Sequence, residues 1–175
     1  MLVLGVDPGL HGALALYDSE SRSILSITDM PIWIQPVGGK KREQLDELAL
    51  MSLFRDYAML GVSLAVIEKV GGIPGQSAPA AFNFGIAVSP LIMCCRYEGI
   101  PFERPTPQTW KPAMRVPGKR GSAALGAKDA TQEIIAVADR MFPNDTSRWR
   151  GPRGGFMADR AEAAMLARYG AEHLT

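Results

Sequence analysis

The chain has 175 residues, 47% of them hydrophobic and 21% charged, with a formal net charge of +1. That length and apolar content suit one folded domain, residues 1–175, and exclude a globally disordered chain. No apolar run approaches a membrane span, and the first strand begins at residue 2 with no basic leader before it, so the expectation is a cytoplasmic protein, of a bacterial or phage-infected cell, without a signal or transit peptide.

The charge is unevenly spread. Residues 1–100 carry 7 basic and 10 acidic side chains, residues 101–158 carry 10 and 5, and residues 159–175 carry 2 and 3. A basic middle segment is compatible with a polyanionic partner, although ordinary solvated surface has the same composition.

Leu2–Asp7, LVLGVD, predicts a buried strand that delivers one carboxylate before Pro8-Gly9 stops it. A carboxylate there is costly to bury unless a charge or metal meets it. Asp also starts Pro-Gly turns well, so Asp7 taken alone fits both roles. Gly12–Tyr17 and Ile24–Met30 predict a second and a third strand, joined by links short enough to make all three antiparallel. Ile34–Arg42 predicts a loop holding Pro36, Gly38-Gly39 and Lys40-Lys41-Arg42. It is either a solvated connection or a phosphate contact. Glu43–Leu60 predicts a helix with Leu45, Leu48, Ala49, Leu53, Tyr57 and Leu60 on its apolar face and Gly61 as its stop.

Val62–Ile67 predicts a fourth strand, and it too ends in an acid, Glu68, ahead of a glycine-rich 71–75. Two apolar strands that each deliver an acid at the carboxyl end are the pattern of an open α/β sheet with its site at the strand ends. Ala78–Tyr97 predicts an apolar helix interrupted by Gly85 and Pro90, with Cys94 and Cys95 as reduced core thiols. Pro101–Arg104 predicts a short fifth strand and Thr106–Met114 an irregular or briefly helical stretch. A basic loop follows with Lys119 and Arg120, then a helix over Lys128–Phe142, a second basic loop with Arg148, Arg150 and Arg153, and an Ala-rich helix over Phe156–Gly170.

That last helix carries Asp159 and Glu162 at i and i+3, one face, among Met157, Ala158, Ala161 and Ala163–Leu166. Two like charges in apolar surroundings need a cation, or else they are a solvated pair beside Arg160 and Arg168. With Asp7 and Glu68 the chain offers four carboxylates at element ends or on an apolar helix. All-oxygen ligation suits Mg²⁺ or Mn²⁺ and not zinc. Two such ions about 3.5–4 Å apart can clamp an in-line displacement at phosphorus.

The order of these pieces resembles the RuvC family of Holliday junction resolvases, in the ribonuclease H-like superfamily. The matching stretches are LGVDPGLHGALAL at 4–16, AVIEKV at 65–70, PTPQTWKPAM at 105–114, GAKDATQEI at 126–134 and DRAEAAMLARYG at 159–170. The wording at GIPGQS and in the last helix is closer to the phage and plastid branches than to the bacterial housekeeping enzyme. The resemblance implies a ribonuclease H-like α/β fold, a mixed five-stranded sheet flanked by helices. It implies a metal-dependent endonuclease with Asp7, Glu68, Asp159 and Glu162 as catalytic metal ligands, the fourth being a glutamate where bacterial members commonly have aspartate. Lys111 and Lys128 fall where the family places phosphate-contacting lysines, and Lys119 competes for that role. Bacterial members insert an aromatic near the junction centre, shortly after the strand acid. This chain has Gly71-Gly72-Ile73-Pro74 there, so Ile73 or Pro74 is the wedge, while Phe82 and Phe84 read as core or dimer contacts.

The expected substrate is a four-way DNA junction. Its near two-fold symmetry calls for a homodimer, with the apolar helix 78–97 as the expected dimer surface. Phosphate contacts are expected from Lys40, Lys41, Arg42, Lys119, Arg120, Arg148, Arg150 and Arg153. Trp33, Trp110 and Trp149 either stack on DNA or pack. Competing readings are a related nuclease for RNA–DNA hybrids or flaps, and a non-catalytic junction binder. An actin-like ATPase, which also opens on D-x-G, needs two such domains and a longer chain.

Overall fold

The structure, a computed structural model, describes residues 1–69, 78–116 and 127–175, apart from the side chains of Val37, Lys40, 78–84 and 127–129. The expectations for Ile73, Pro74, Lys119 and Arg120 lie outside the described residues.

Strands β1 (Leu2–Asp7), β2 (Ala13–Asp18) and β3 (Ser23–Asp29) form an antiparallel meander, as expected. Strand β6 (Val62–Ile67) lies parallel to β1 on its other side, and the two-residue β7 (Phe102–Glu103) is parallel to β6. The result is a mixed five-stranded sheet in the order β3-β2-β1-β6-β7. Central strand β1 is buried on both faces, and its alternating side chains feed two cores. Val3 joins Ala13, Ala15, Val66 and Trp110 on one face, while Leu4 and Val6 join Leu14, Leu16, Ala65 and Ile67 on the other.

The second face is covered by α1 (Glu47–Met59), through Leu50, Phe54 and Tyr57, and by α2 (Ala78–Tyr97), through Leu91, Cys94 and Cys95. Both cysteines are free and buried, as expected. The first face is covered by α3 (Pro107–Ala113), α4 (Ala127–Met141) and α5 (Ala158–His173), with a single 3₁₀ turn at Thr146–Trp149. Helix α5 lies flush on the sheet. A Cβ added at Gly5 would strike the backbone of Ala163 and Ala167, and one at Gly170 would meet Val66 and Val3. Its alanines and these two glycines make that approach possible.

The structure corrects two expectations. Ile34–Arg42 is not a loop: β4 (Ile32–Val37) and β5 (Lys40–Leu45) form a separate two-stranded hairpin. Gly38 and Gly39 take φ of 58° and 76°, the two left-handed positions that a tight hairpin turn of type I′ demands. Consequently helix α1 does not begin at Glu43. It starts at Glu47, with Asp46 as its N-cap accepting from the Ala49 N–H at 2.9 Å. The inward stripe is Leu50, Phe54 and Tyr57, whereas Leu48 and Leu60, expected on the apolar face, are exposed.

Candidate active site

The parallel pairing of β1 with β6 brings their carboxyl ends side by side. Val6 pairs with Ile67, and the Glu68 N–H donates to the Val6 carbonyl at 3.1 Å. Asp7 and Glu68 therefore leave the sheet together. The chain turns directly after Asp7, and the Gly12 N–H closes on the Gly9 carbonyl at 3.2 Å. Helix α5 crosses the same edge with its first two turns, which carry Asp159 and Glu162. Asp159 lies in the first turn, where the helix dipole favours a negative charge.

Asp7 and Glu162 feel the charges of the other acids. The Asp7 carboxyl is held well above the usual range, first by burial and then by the charges of Glu162, Asp159 and Glu68, with Lys111 opposing. Glu162 is raised by burial, which Lys111 counters and Glu68 and Asp159 reinforce. Asp159, at the open rim, is raised chiefly by partial desolvation, opposed by His11 and increased by Asp29. Glu68 is the one charged side chain in the buried set among the described residues, at 6% exposure.

Two neighbours on α3 manage this charge. The Lys111 Nζ donates to Glu162 Oε1 at 2.8 Å, both side chains largely buried. The Trp110 Nε1–H donates to Glu68 Oε1 at 2.9 Å from a fully buried indole. Lys111 also lies 5.3 Å from the centre of that ring. The role of Trp110 is not readable in the chain: its partner is 42 residues away, and a tryptophan in an apolar cluster reads as packing. What can be read is that a buried indole N–H needs an acceptor. Trp149, also fully buried, meets the same need at Asp139, 2.9 Å away.

The acids are neighbours without forming a ready-made cage. Among the described residues no three carboxylate, imidazole or thiol groups sit close enough together to grip an ion. Lys111 and Trp110 each hold one oxygen, on Glu162 and Glu68. The donor chemistry nevertheless fits a hard divalent cation: oxygen only, an excess of negative charge, and carboxyls raised by burial and by one another's charge.

Replacing Lys111 by methionine is expected to destabilise the metal-free protein by about 1–3 kcal/mol, since it strands a buried acid. Glu162 then sits higher still, so the loss should be larger at pH 8 than at pH 5. Thermal melts at the two pH values measure it, and equal losses at both would count against the pairing.

The remaining cationic residues are scattered. Lys41 and Arg42 are exposed on the hairpin, and Lys40 stands opposite Val37 in its register. Lys128 begins near the start of α4. Arg148 is bound to Asp145 at 2.7 Å, and Arg150 grips Asp139 with both terminal nitrogens, at 3.0 and 2.6 Å. Arg153 is exposed in the turn after them. Arg160, read only as a neighbour of the acids, makes a two-pronged ion pair with Asp29 at 2.6 and 2.5 Å, tying α5 to the end of β3.

The sequence matches no protein-family model and no curated protein. Solved structures do match. The Thermus thermophilus RuvC structure aligns over 100% of this chain and 98% of its own, at a TM-score of 0.56 and 14% identity. T. thermophilus RuvC in complex with a Holliday junction substrate aligns over 98% and 95%, at a TM-score of 0.57 and 14% identity. The chain thus has the RuvC, ribonuclease H-like fold. Among the described residues no helix is long and apolar enough to cross a membrane.

Proposed function

We propose that this chain is a divalent-metal-dependent endonuclease that resolves four-way DNA junctions by phosphodiester hydrolysis. The observation that carries the reading is the placement of Asp7, Glu68, Asp159 and Glu162 at one end of the sheet, where the charges of the other three raise the Asp7 carboxyl. The fold adds support, because a structure with the same fold is a RuvC bound to a Holliday junction.

Asp7 and Glu68 would hold Mg²⁺ or Mn²⁺ from the sheet, and Asp159 and Glu162 from the helix. Two such ions would supply an activated water and stabilise charge on the phosphoryl and leaving oxygens. Glu162, on α5, would trade its bond to Lys111 for the ligand role, leaving the lysine for the scissile phosphate. Lys128, Lys119 and Arg120 extend the phosphate track, and Ile73 or Pro74 wedges the junction centre. Arg148 and Arg150 contribute field from their ion-paired positions, while Lys40, Lys41, Arg42 and Arg153 meet the backbone directly.

The working form is a homodimer, two sites for two opposed strands. Ile86, Met93 and Tyr97 are exposed along α2 at near-helical spacing, which supports that helix as the dimer surface. The test is cleavage of a synthetic four-way junction with and without Mg²⁺, mapping the nicks. Paired symmetric nicks that require the metal are expected. Equal cutting of RNA–DNA hybrids or of any flap would replace the reading with that of a general nuclease, and binding without cutting would make the chain a junction-binding protein.

A further inference from the structure

The hairpin β4–β5 is not needed to build the sheet or its cores beyond Leu45 at its base, yet it is fixed to the edge where the acids gather. Strand β3 ends at Asp29, which pairs with Ala13, and Ala13 in turn pairs with Asp7. The hairpin starts three residues after Asp29. Its foot is stitched to the turn that follows Asp7. The Met30 N–H donates to the Gly12 carbonyl at 2.8 Å, the Asp46 N–H to Pro31 at 2.9 Å, and His11 lies 3.5 Å from the Glu43 carboxylate. Six residues a strand give an arm roughly 20 Å long.

Register sorts its side chains. Ile32, Ile34, Glu43 and the buried Leu45 share one face, the face anchored at the foot. Trp33, Gln35, Arg42 and Gln44 share the other. Trp33 is 43% exposed, and Arg42 and Gln44 are open to solvent. One face of a two-stranded ribbon thus presents an indole, a guanidinium and two amides, while Lys41, opposite Pro36, lies on the other face. This is a face for a polyanion with stackable and hydrogen-bonding groups, and its charge does not suit a second copy of the same cationic ribbon.

We propose that the hairpin is a β-ribbon that enters the major groove of a duplex arm next to the cut site, with Arg42 on a phosphate and Trp33 and the two amides against the groove. The major groove is wide enough to admit such a ribbon. This rests on the junction-nuclease reading and adds where the substrate arm lies.

The test compares wild type with the double variant Trp33→Ala, Arg42→Ala, both exposed positions whose loss leaves the thermal midpoint unchanged. Binding in the absence of metal is measured on junctions with long arms and on junctions with arms shorter than one helical turn, about 10 bp. The variant is expected to bind long-armed junctions about tenfold more weakly, with a salt slope smaller by about 1. On short-armed junctions the two proteins should match. Unchanged long-arm binding, while wild type still cuts junctions, overturns the hairpin's role and leaves the nuclease reading standing. An equal loss on both substrates overturns it in favour of contact at the junction centre. A change in oligomeric state overturns it in favour of an interface between copies. Failure of wild type to bind or cut any junction is the failure of the reading beneath it.

Discussion

Replacing Asp7 by asparagine is expected to lower junction cleavage about 10³-fold or more, as loss of a principal catalytic group does, and to raise the melting temperature of the metal-free protein. The two effects have one cause. Asp7 is buried beside Glu162, Asp159 and Glu68, with Lys111 as the cation that lowers its carboxyl. An amide of the same shape removes one of those charges. The gain should be about 0.5–2 kcal/mol, or about 2–4 °C per kcal/mol for a domain of this size.

The sign of the pH dependence follows. Asp7, Asp159 and Glu162 are all raised in the folded state. The stability their protons contribute is fully present below the ordinary carboxylate range and is lost as pH rises through the folded values. Metal-free wild type should therefore melt higher in mild acid than at neutral pH, and Asp7→Asn should flatten that trend. Asp18 works in the opposite direction, but Ser21 holds it down to about 2, so its contribution is lost only in strong acid. Added Mg²⁺ should stabilise wild type at neutral pH and the variant much less. Calorimetric melts with and without metal, together with a cleavage assay, check each part; wild-type cutting by the variant would move the site elsewhere.

Trp110 is expected to give the second large effect. Trp110→Phe keeps most of the ring in the core but removes the only N–H that holds Glu68 Oε1 among the described hydrogen bonds. A buried acid with one oxygen unpartnered costs about 1–3 kcal/mol. Losing a group that orients a metal ligand typically costs about 10–100-fold in metal affinity or activity. Trp110→Ala adds the cavity, about 3–5 kcal/mol, and is expected to compromise folding itself. Trp110→Phe is therefore the informative variant. Metal affinity by titration calorimetry separates positioning from packing: a purely structural tryptophan would lower the melting temperature and leave the metal affinity alone.

Much of this architecture was legible because the central strands are short apolar runs with few alternatives. LVLGVD ends in Asp7 and VSLAVI is followed at once by Glu68, and their parallel pairing places those acids together. Asp159 and Glu162 were legible from spacing on an alanine-rich helix. The hairpin was not, because KKREQL is polar but for its last residue and lacks the alternation that marks a half-buried strand. Its one signal was Gly38-Gly39 between Val37 and Lys40. The bond from Trp110 to Glu68 and that from Arg160 to Asp29 were invisible for a different reason: they join residues 42 and 131 positions apart, and only the packed chain brings them together.

The seam between α5 and β1 sets the tolerance of the edge that carries the four acids. Gly5 faces the main chain of Ala163 and Ala167 with no side chain between them. The offset between Asp7 on the strand and Asp159 and Glu162 on the helix is thus dictated by backbone touching backbone, a spacing with no rotamer to relax it. A methyl group inserted at that seam would shift two carboxylates as a unit, at a distance from either.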